Sequence, residues 1–211
     1  DIAGLVRGAS KGEGLGNQFL SHISDVDAVI HVIRSFKEDN VTHVEGNLSP
    51  VRDIEIIETE LLMRDIATVK KRVEKLKKTA RIGDKESKEE LKVLDIIYPQ
   101  MNNAKLAHDI QLDSNQCKII QPLSLLTNKP ILYVANVDEN EIAAEKRKPK
   151  LQKLINFAKK RGNVAIRLCG KLEAEISNLK DEEKSFFLEE YNLYESGLEK
   201  LINASYKLLG L

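Results

Sequence analysis

Apolar positions divide the chain into stretches of two kinds. Three short runs, 28–33, 130–135 and 164–168, are rich in Val, Ile and Leu and almost without a polar break. A short run apolar on both faces predicts a strand covered on both sides, as in a parallel sheet. Between the second and third runs, 150–161 has helical spacing and stops at Gly162. Strand, helix, strand at these spacings predicts a βαβ unit. The stretch from Asp53 to about Met101 is patterned differently. Leu62, Ile66, Val69, Val73 and Leu76 recur at alternating spacings of four and three, the seam of one long helix. Ile82-Gly-Asp-Lys85 interrupts it, and Leu91, Leu94, Tyr98 and Met101 continue on a second helix that Pro99 is expected to kink or end. So short a turn forces the two helices antiparallel, predicting a helical hairpin. Lying between two strand runs, the hairpin reads as an insertion into an α/β domain. Short helices over 17–24 and 115–126 and a helical tail over 181–209 complete the expectation. The chain then divides into 1–50, an inserted helical segment 51–126, and 127–211.

Composition narrows the class. The 211 residues carry 33 Lys+Arg and 33 Asp+Glu, a formal net charge of zero, which excludes a uniformly basic nucleic-acid binder and an acidic disordered tail. Charged residues are 31% and aromatics 5%, with no Trp, as expected of a helix-rich, well-solvated surface. No apolar run approaches the roughly 18 residues of a membrane span, and no apolar core follows a basic start. The two cysteines, Cys117 and Cys169, are too few for a disulfide framework. A cytosolic chain without membrane contact is expected.

The charges are unevenly placed. Lys70, Lys71, Arg72, Lys75, Lys77 and Lys78 crowd the end of the first hairpin helix with Glu74 among them, and Lys146, Arg147, Lys148 and Lys150 open a second basic stretch. Acidic residues gather instead at Asp181, Glu182, Glu183, Glu189 and Glu190. Such runs read either as solvated helix faces or as contacts for a phosphate backbone.

Candidate chemistry lies in three loops. Five of the 11 glycines fall within the first sixteen residues, too many for a helix or strand interior. Asp1 and Gly4 within that loop are spaced as in nucleotide hydrolases, where the Asp holds magnesium and the Gly amide approaches the γ-phosphate. A turn glycine after a loop Asp is the plainer alternative. Asn136, Val137 and Glu139 follow an apolar strand, and ligands of open α/β sheets sit beyond the carboxyl ends of strands. GTPases place Asn-Lys-x-Asp there, the Asp accepting two guanine protons. With Val137 for Lys and the longer Glu139 for Asp, guanine selection is expected to weaken. Asn-x-x-Glu also fits a helix cap. Cys169, Gly170 and Lys171, after the third run, suit a small loop closing over a purine, or an ordinary strand-to-helix turn.

Taken together, these loops resemble a known family. The stretch Asp1-Ile-Ala-Gly-Leu-Val-x-Gly-Ala-Ser-Lys-Gly-Glu-Gly-Leu-Gly-Asn17 is close to the signature of the Obg-like ATPases, the YchF group of Obg-related P-loop NTPases. His31–Phe36, His43–Gly46, Asp53–Leu61, Tyr133–Glu139 and Tyr206–Leu209 match as well. The resemblance covers essentially the whole chain. It implies a P-loop NTPase (G-domain) parallel sheet with an inserted coiled-coil hairpin, hydrolysing ATP, or GTP, with Mg2+, and a link to the ribosome. Asp1 matches the metal-holding switch residue, and Gly4 and Leu5 its phosphate-facing neighbours. Leu5 stands where Ras-like GTPases keep a water-orienting Gln, and an apolar side chain cannot do that. His43 matches a histidine proposed in the family to align the water. Asn136, Val137 and Glu139 match the family's altered base motif, associated with ATP.

No Gly-x-x-x-x-Gly-Lys-Ser/Thr loop occurs in the 211 residues. The resemblance implies that the phosphate loop precedes Asp1 and that a TGS module follows Leu211. Without amides and Lys to cradle the phosphates, this chain alone is expected to bind nucleotide poorly. The rival expectation is a non-enzymatic module in which the helical hairpin binds RNA or the ribosome.

Overall fold

The computed structural model describes residues 23–36, 49–142 and 149–211. They fall into two compact units. One contains residues 55–129 with 23–27, and the other 28–36, 49–54, 130–142 and 149–211. Among the described residues, no helix is long and apolar enough to cross a membrane.

Among the described residues, the second unit is built on three parallel strands in the order β1 (Val29–Arg34), β2 (Ile131–Asn136), β3 (Val164–Leu168). Each of the first two starts one residue later than its apolar run. Pro130 has no N–H for the ladder, and its carbonyl instead accepts from Val29 at 2.9 Å. The central strand is buried from Ile131 to Ala135, as its unbroken apolar run predicts. The run before it behaves differently. β1 buries Ile33 at 2% exposure but leaves Ile30 and Val32 at 44% and 60%, so among the described residues one face of this strand is open.

Helix α5 (Pro149–Lys160), preceding β3, buries Leu151, Leu154 and Ala158 at spacings of three and four. Pro suits the first helical position, where its missing N–H has no partner to lose. With Ile33, Tyr133 and Leu172 these residues form one apolar core. Three more helices follow β3: α6 (Gly170–Ser177), α7 (Asp181–Glu190) and α8 (Gly197–Leu209). The tail is therefore not one helix. Asn192 turns left-handed at φ 53°, and Ser196 restarts the helix as an N-cap in a capping box with Glu199. A Cβ at Gly197 would stand 2.7 Å from the Leu168 Cβ and 2.6 Å from Glu173 Oε1, so only glycine lets α8 start against the end of β3. Between β2 and α5, α4 (Glu139–Ile142) makes a single turn.

The first unit holds the hairpin. α1 (Pro50–Arg81) and α2 (Lys85–Asn102) are joined at Ile82-Gly-Asp84, and Asp84 caps α2 by accepting the Ser87 N–H at 2.8 Å. Leu62, Val69 and Leu76 pack with Leu94, Ile97 and Met101, and Ile66 and Val73 lie against them. Thr79 meets Ser87 across the pair at 2.8 Å, and Arg72 forks onto Glu90 with both bonds at 2.6 Å, as antiparallel helices require. α2 runs three residues beyond Pro99 before it ends. The helix expected over 115–126 is shorter. α3 (Ser114–Ile120) gives way to single 3-10 turns at Gln121–Leu123 and Leu126–Asn128, because Pro122 cannot donate within a longer helix.

The return from the hairpin is tied down by one buried carboxylate. Asp65, 2% exposed, accepts the N–H groups of Leu126 and Thr127 at 2.8 Å each and the Thr127 hydroxyl at 2.7 Å. That hydroxyl oxygen in turn accepts from the Ala107 N–H at 3.0 Å.

Candidate functional site

Parallel pairing sets the three strand ends side by side. Arg34 is level with Asn136, and Asn136 with Leu168. Asn136 is therefore the last strand residue rather than the first after it. Its carbonyl accepts from Ser35 N–H at 2.8 Å, and the next amide, that of Val137, donates to the Leu168 carbonyl at 2.9 Å. The chain leaving β2 is thereby pinned on both sides.

The side chain of Asn136 reaches across to the neighbouring loop. Its Oδ1 accepts the N–H of Gly170 at 3.0 Å, one of the amides at the start of α6 that no helical carbonyl can take. The local cap expected of an Asn-x-x-Glu segment is supplied by a different residue: Asp138 Oδ1 accepts from the Asn140 N–H at 3.1 Å and its Nδ2 at 3.0 Å. With Oδ1 fixed on Gly170, the Asn136 amide nitrogen has a set direction.

Five of the residues singled out in the sequence are thus gathered at one sheet edge: Asn136, Val137, Glu139, Cys169 and Gly170. They differ in what they can offer. The side chains of Val137 and Cys169, at 2% and 3% exposure, belong to the apolar core, so at this edge they present backbone alone. Glu139, in the first turn of α4, keeps about a third of its side chain open and forms an ion pair with Lys171 of α6. That hydrogen bond, with the attraction of the same carboxylate, holds the Lys171 ammonium above its ordinary range. The phenol of Tyr191 is raised first by desolvation, then by the carboxylates of Glu139, Glu175 and Glu190.

Lys171 completes the Cys169-Gly170-Lys171 loop singled out in the sequence, and its ion pair ties that loop to Glu139. Tyr191 was not among the candidates and had no signal, since it closes a helix 52 residues beyond Glu139. Loop position is maintained from behind: Glu173 of α6 accepts the Gly197 N–H at 2.7 Å and the Leu198 N–H at 3.0 Å, joining α6 to the start of α8.

Asp1, Gly4, Leu5 and His43 lie outside the described residues, as do Lys146, Arg147 and Lys148. On α1, Lys70, Lys71, Lys75, Lys77 and Lys78 are exposed. Arg72 is a correction to that basic run, because Glu90 takes both arms of its guanidinium.

No family model matches the chain. It is 47% identical to the ribosome-binding ATPase YchF of Bacillus subtilis over 211 residues, all of this chain and 58% of that protein. With the ribosome-binding ATPase YchF of Escherichia coli O157:H7 it shares 44% identity over all of this chain and 57% of that one. Among solved structures, the YchF GTPase of Schizosaccharomyces pombe superposes with a TM-score of 0.81 at 35% identity, covering 99% of this chain and 57% of the other. The chain thus spans a little under three fifths of the length of these relatives. Sequence and fold match over all of that span, so the chain is similar to the corresponding part of these YchF proteins.

Proposed function

We propose that this chain is the base-binding and switch-bearing part of a Mg2+-dependent nucleotide hydrolase acting on ATP, with GTP as the alternative substrate. The observation that carries the reading is Asn136, at the carboxyl end of the central strand with its amide oriented by Gly170. A purine placed beyond that edge meets a directed amide, the carboxylate of Glu139 and a loop of backbone at Cys169 and Gly170. The relatives' names, ATPase in two bacteria and GTPase in a yeast, suit a site of this kind. In the same reading 1–50 and 127–211 form one nucleotide-binding domain, and 51–126 is its helical insertion.

Asp1, Gly4 and Leu5 form the switch beside the phosphates, Asp1 contributing to the hold on Mg2+. The ion neutralises charge developing on the transferred phosphoryl group. Leu5 has no hydrogen-bonding group to position water. His43 takes that role, since a neutral imidazole accepts a proton or aligns water near pH 7. The switch reports nucleotide state to a partner.

The 211 residues carry no Gly-x-x-x-x-Gly-Lys-Ser/Thr phosphate cradle, so this chain alone is expected to bind labelled ATP and GTP weakly and to hydrolyse neither. At the full length of the relatives it is expected to bind both, with Asn136→Ala weakening binding by roughly a hundredfold, as losing an orienting hydrogen bond inside a polar site does. Turnover by the 211-residue chain, abolished by Asn136→Ala, would sink this division of labour.

The named partner of the bacterial relatives is the ribosome. The exposed lysines of α1 suit a phosphate backbone, which supports a reading in which this chain meets the ribosome through the hairpin, in the cytoplasm. Counterion release then makes affinity for ribosomes fall steeply with salt. Reversing Lys70, Lys71 and Lys75 to Glu should flatten that slope by about three phosphate contacts. Co-sedimentation across a salt series measures it, and an unchanged slope removes the hairpin from the contact.

A further inference from the structure

The relatives' names divide between ATPase and GTPase, and the ion pair at the edge of the site bears on that choice. Glu139 stands in the first turn of α4 and Lys171 in the first turn of α6, two helices that both begin at the carboxyl ends of the strands. Asn136 links the same two loops through Gly170 at 3.0 Å. The Lys171 ammonium contacts Glu139 Oε1, so the carboxylate beside the directed amide of Asn136 is neutralised by a neighbour from the opposite loop.

We propose that Lys171 determines which purine the site accepts by occupying one oxygen of Glu139. The inference rests on the reading of Asn136 and its two loops as a base site. Guanine presents two adjacent donors, its N1–H and its 2-amino group, and a carboxylate recognises them with both oxygens free. Paired to Lys171, Glu139 offers guanine one free oxygen and one whose charge is already shared with the ammonium, and a donor left with a weakened acceptor in a recognition site is penalised. Adenine asks for less. Its 6-amino group needs one acceptor and its N1 needs one donor, which an ammonium beside a carboxylate supplies. A carboxylate alone therefore favours guanine, and the same carboxylate joined to Lys171 shifts the balance toward adenine.

The bland alternative is an ordinary surface pair. The Lys171 side chain is 71% exposed and that of Glu139 30%, and pairs so open contribute little to stability. That same openness makes Lys171 replaceable without loss of the fold, so a change in base preference separates the two ideas.

The test is fluorescence titration of labelled, non-hydrolysable ATP and GTP analogues against the protein at the full length of its relatives. Lys171→Met, which keeps an unbranched stem as far as the ε position and removes the charged end, should move the ratio of ATP to GTP affinity toward GTP by roughly tenfold, the effect of about one freed hydrogen bond to a charged group. Lys171→Arg, which restores a cation, should return the ratio toward its original value. Adding Glu139→Gln to Lys171→Met should cancel the shift, because the amide no longer offers two acceptors. An unchanged ratio in Lys171→Met overturns the proposal, even where Asn136→Ala weakens both nucleotides and upholds the base site. Equal binding before and after Asn136→Ala overturns the site itself, and the role of Lys171 with it.

Discussion

Replacing Asp65 with alanine is expected to destabilise the helical unit by about 3–5 kcal/mol, the loss that follows when a buried charge leaves its partners unpaired. The carboxylate serves three donors from one short turn, two of them backbone N–H groups. Water cannot replace it, since Asp65 and Thr127 are each 2% exposed. The Thr127 hydroxyl also accepts from the Ala107 N–H, so losing Asp65 loosens a second segment. Burial raises the Asp65 pKa above the usual carboxylate range, and the hydrogen bonds from Thr127 and Leu126 oppose that rise. Asp65→Asn retains one acceptor oxygen but turns an amide N–H toward donors, so it should fall between wild type and alanine. Urea denaturation followed by circular dichroism gives the stability, and hydrogen exchange at the Leu126 and Thr127 amides locates the change. Wild-type protection of those amides in Asp65→Ala would show that the carboxylate is not what holds the turn.

Acidification should weaken the sheet unit through His31, by about 3 kcal/mol between pH 6.5 and pH 4. Burial lowers its pKa from 6.5 to about 4, a fall that the nearby Asp53 carboxylate partly opposes. The imidazole lies in β1 with its ring 6.1 Å from that of Tyr133, where a charged form is poorly solvated. The sign follows from the two states. Above pH 6.5 the imidazole is neutral in both the folded and unfolded chain, and its contribution is fully present. Below 6.5 the unfolded chain takes up a proton that the folded chain refuses, so stability drops until the folded pKa is reached. Urea midpoints at several pH values should show this slope in the wild type and a shallower one in His31→Gln. Identical slopes would exclude His31, and a direct titration of its ring protons by NMR gives the folded pKa independently.

The legible parts of this fold share one property: their signals are local. The continuous runs before Ala135 and Leu168 mark strands because a covered strand has no polar face. The four-three spacing from Leu62 to Leu76 marks a helix seam because helical neighbours stand three and four residues apart. Ser196-Gly-Leu-Glu199 carries a capping box that could have divided the tail helix where the structure divides it. Pro122 likewise stood inside the helix expected over 115–126 and was an unused signal for its early end. In the candidate site, Asn136 and the Cys169-Gly170 loop were legible because each follows a strand run, and a parallel sheet places such positions at one edge.

The remainder depended on residues far apart in the chain. Asp65 meets Leu126 and Thr127 across 61 and 62 residues, and no pattern of spacing encodes that meeting. The run of basic residues on α1 could not show that Arg72 is claimed by Glu90, since the partner lies beyond the hairpin turn. Nor could the apolar run of β1 show its open face, because exposure depends on which strands and helices lie beside it. The pairing of Glu139 with Lys171 is of the same kind.

By itself, the sequence determined the strand and helix segments, the helical hairpin and the loops that resemble those of the family, since periodicity, turn chemistry and motif spacing act over a few residues. Only the tertiary structure decided that Asn136 orients itself on Gly170, that Val137 and Cys169 turn inward, and that Glu139 is held by Lys171. Those outcomes depend on the register of three parallel strands, which aligns Asn136 with Leu168 and so brings together loops more than thirty residues apart.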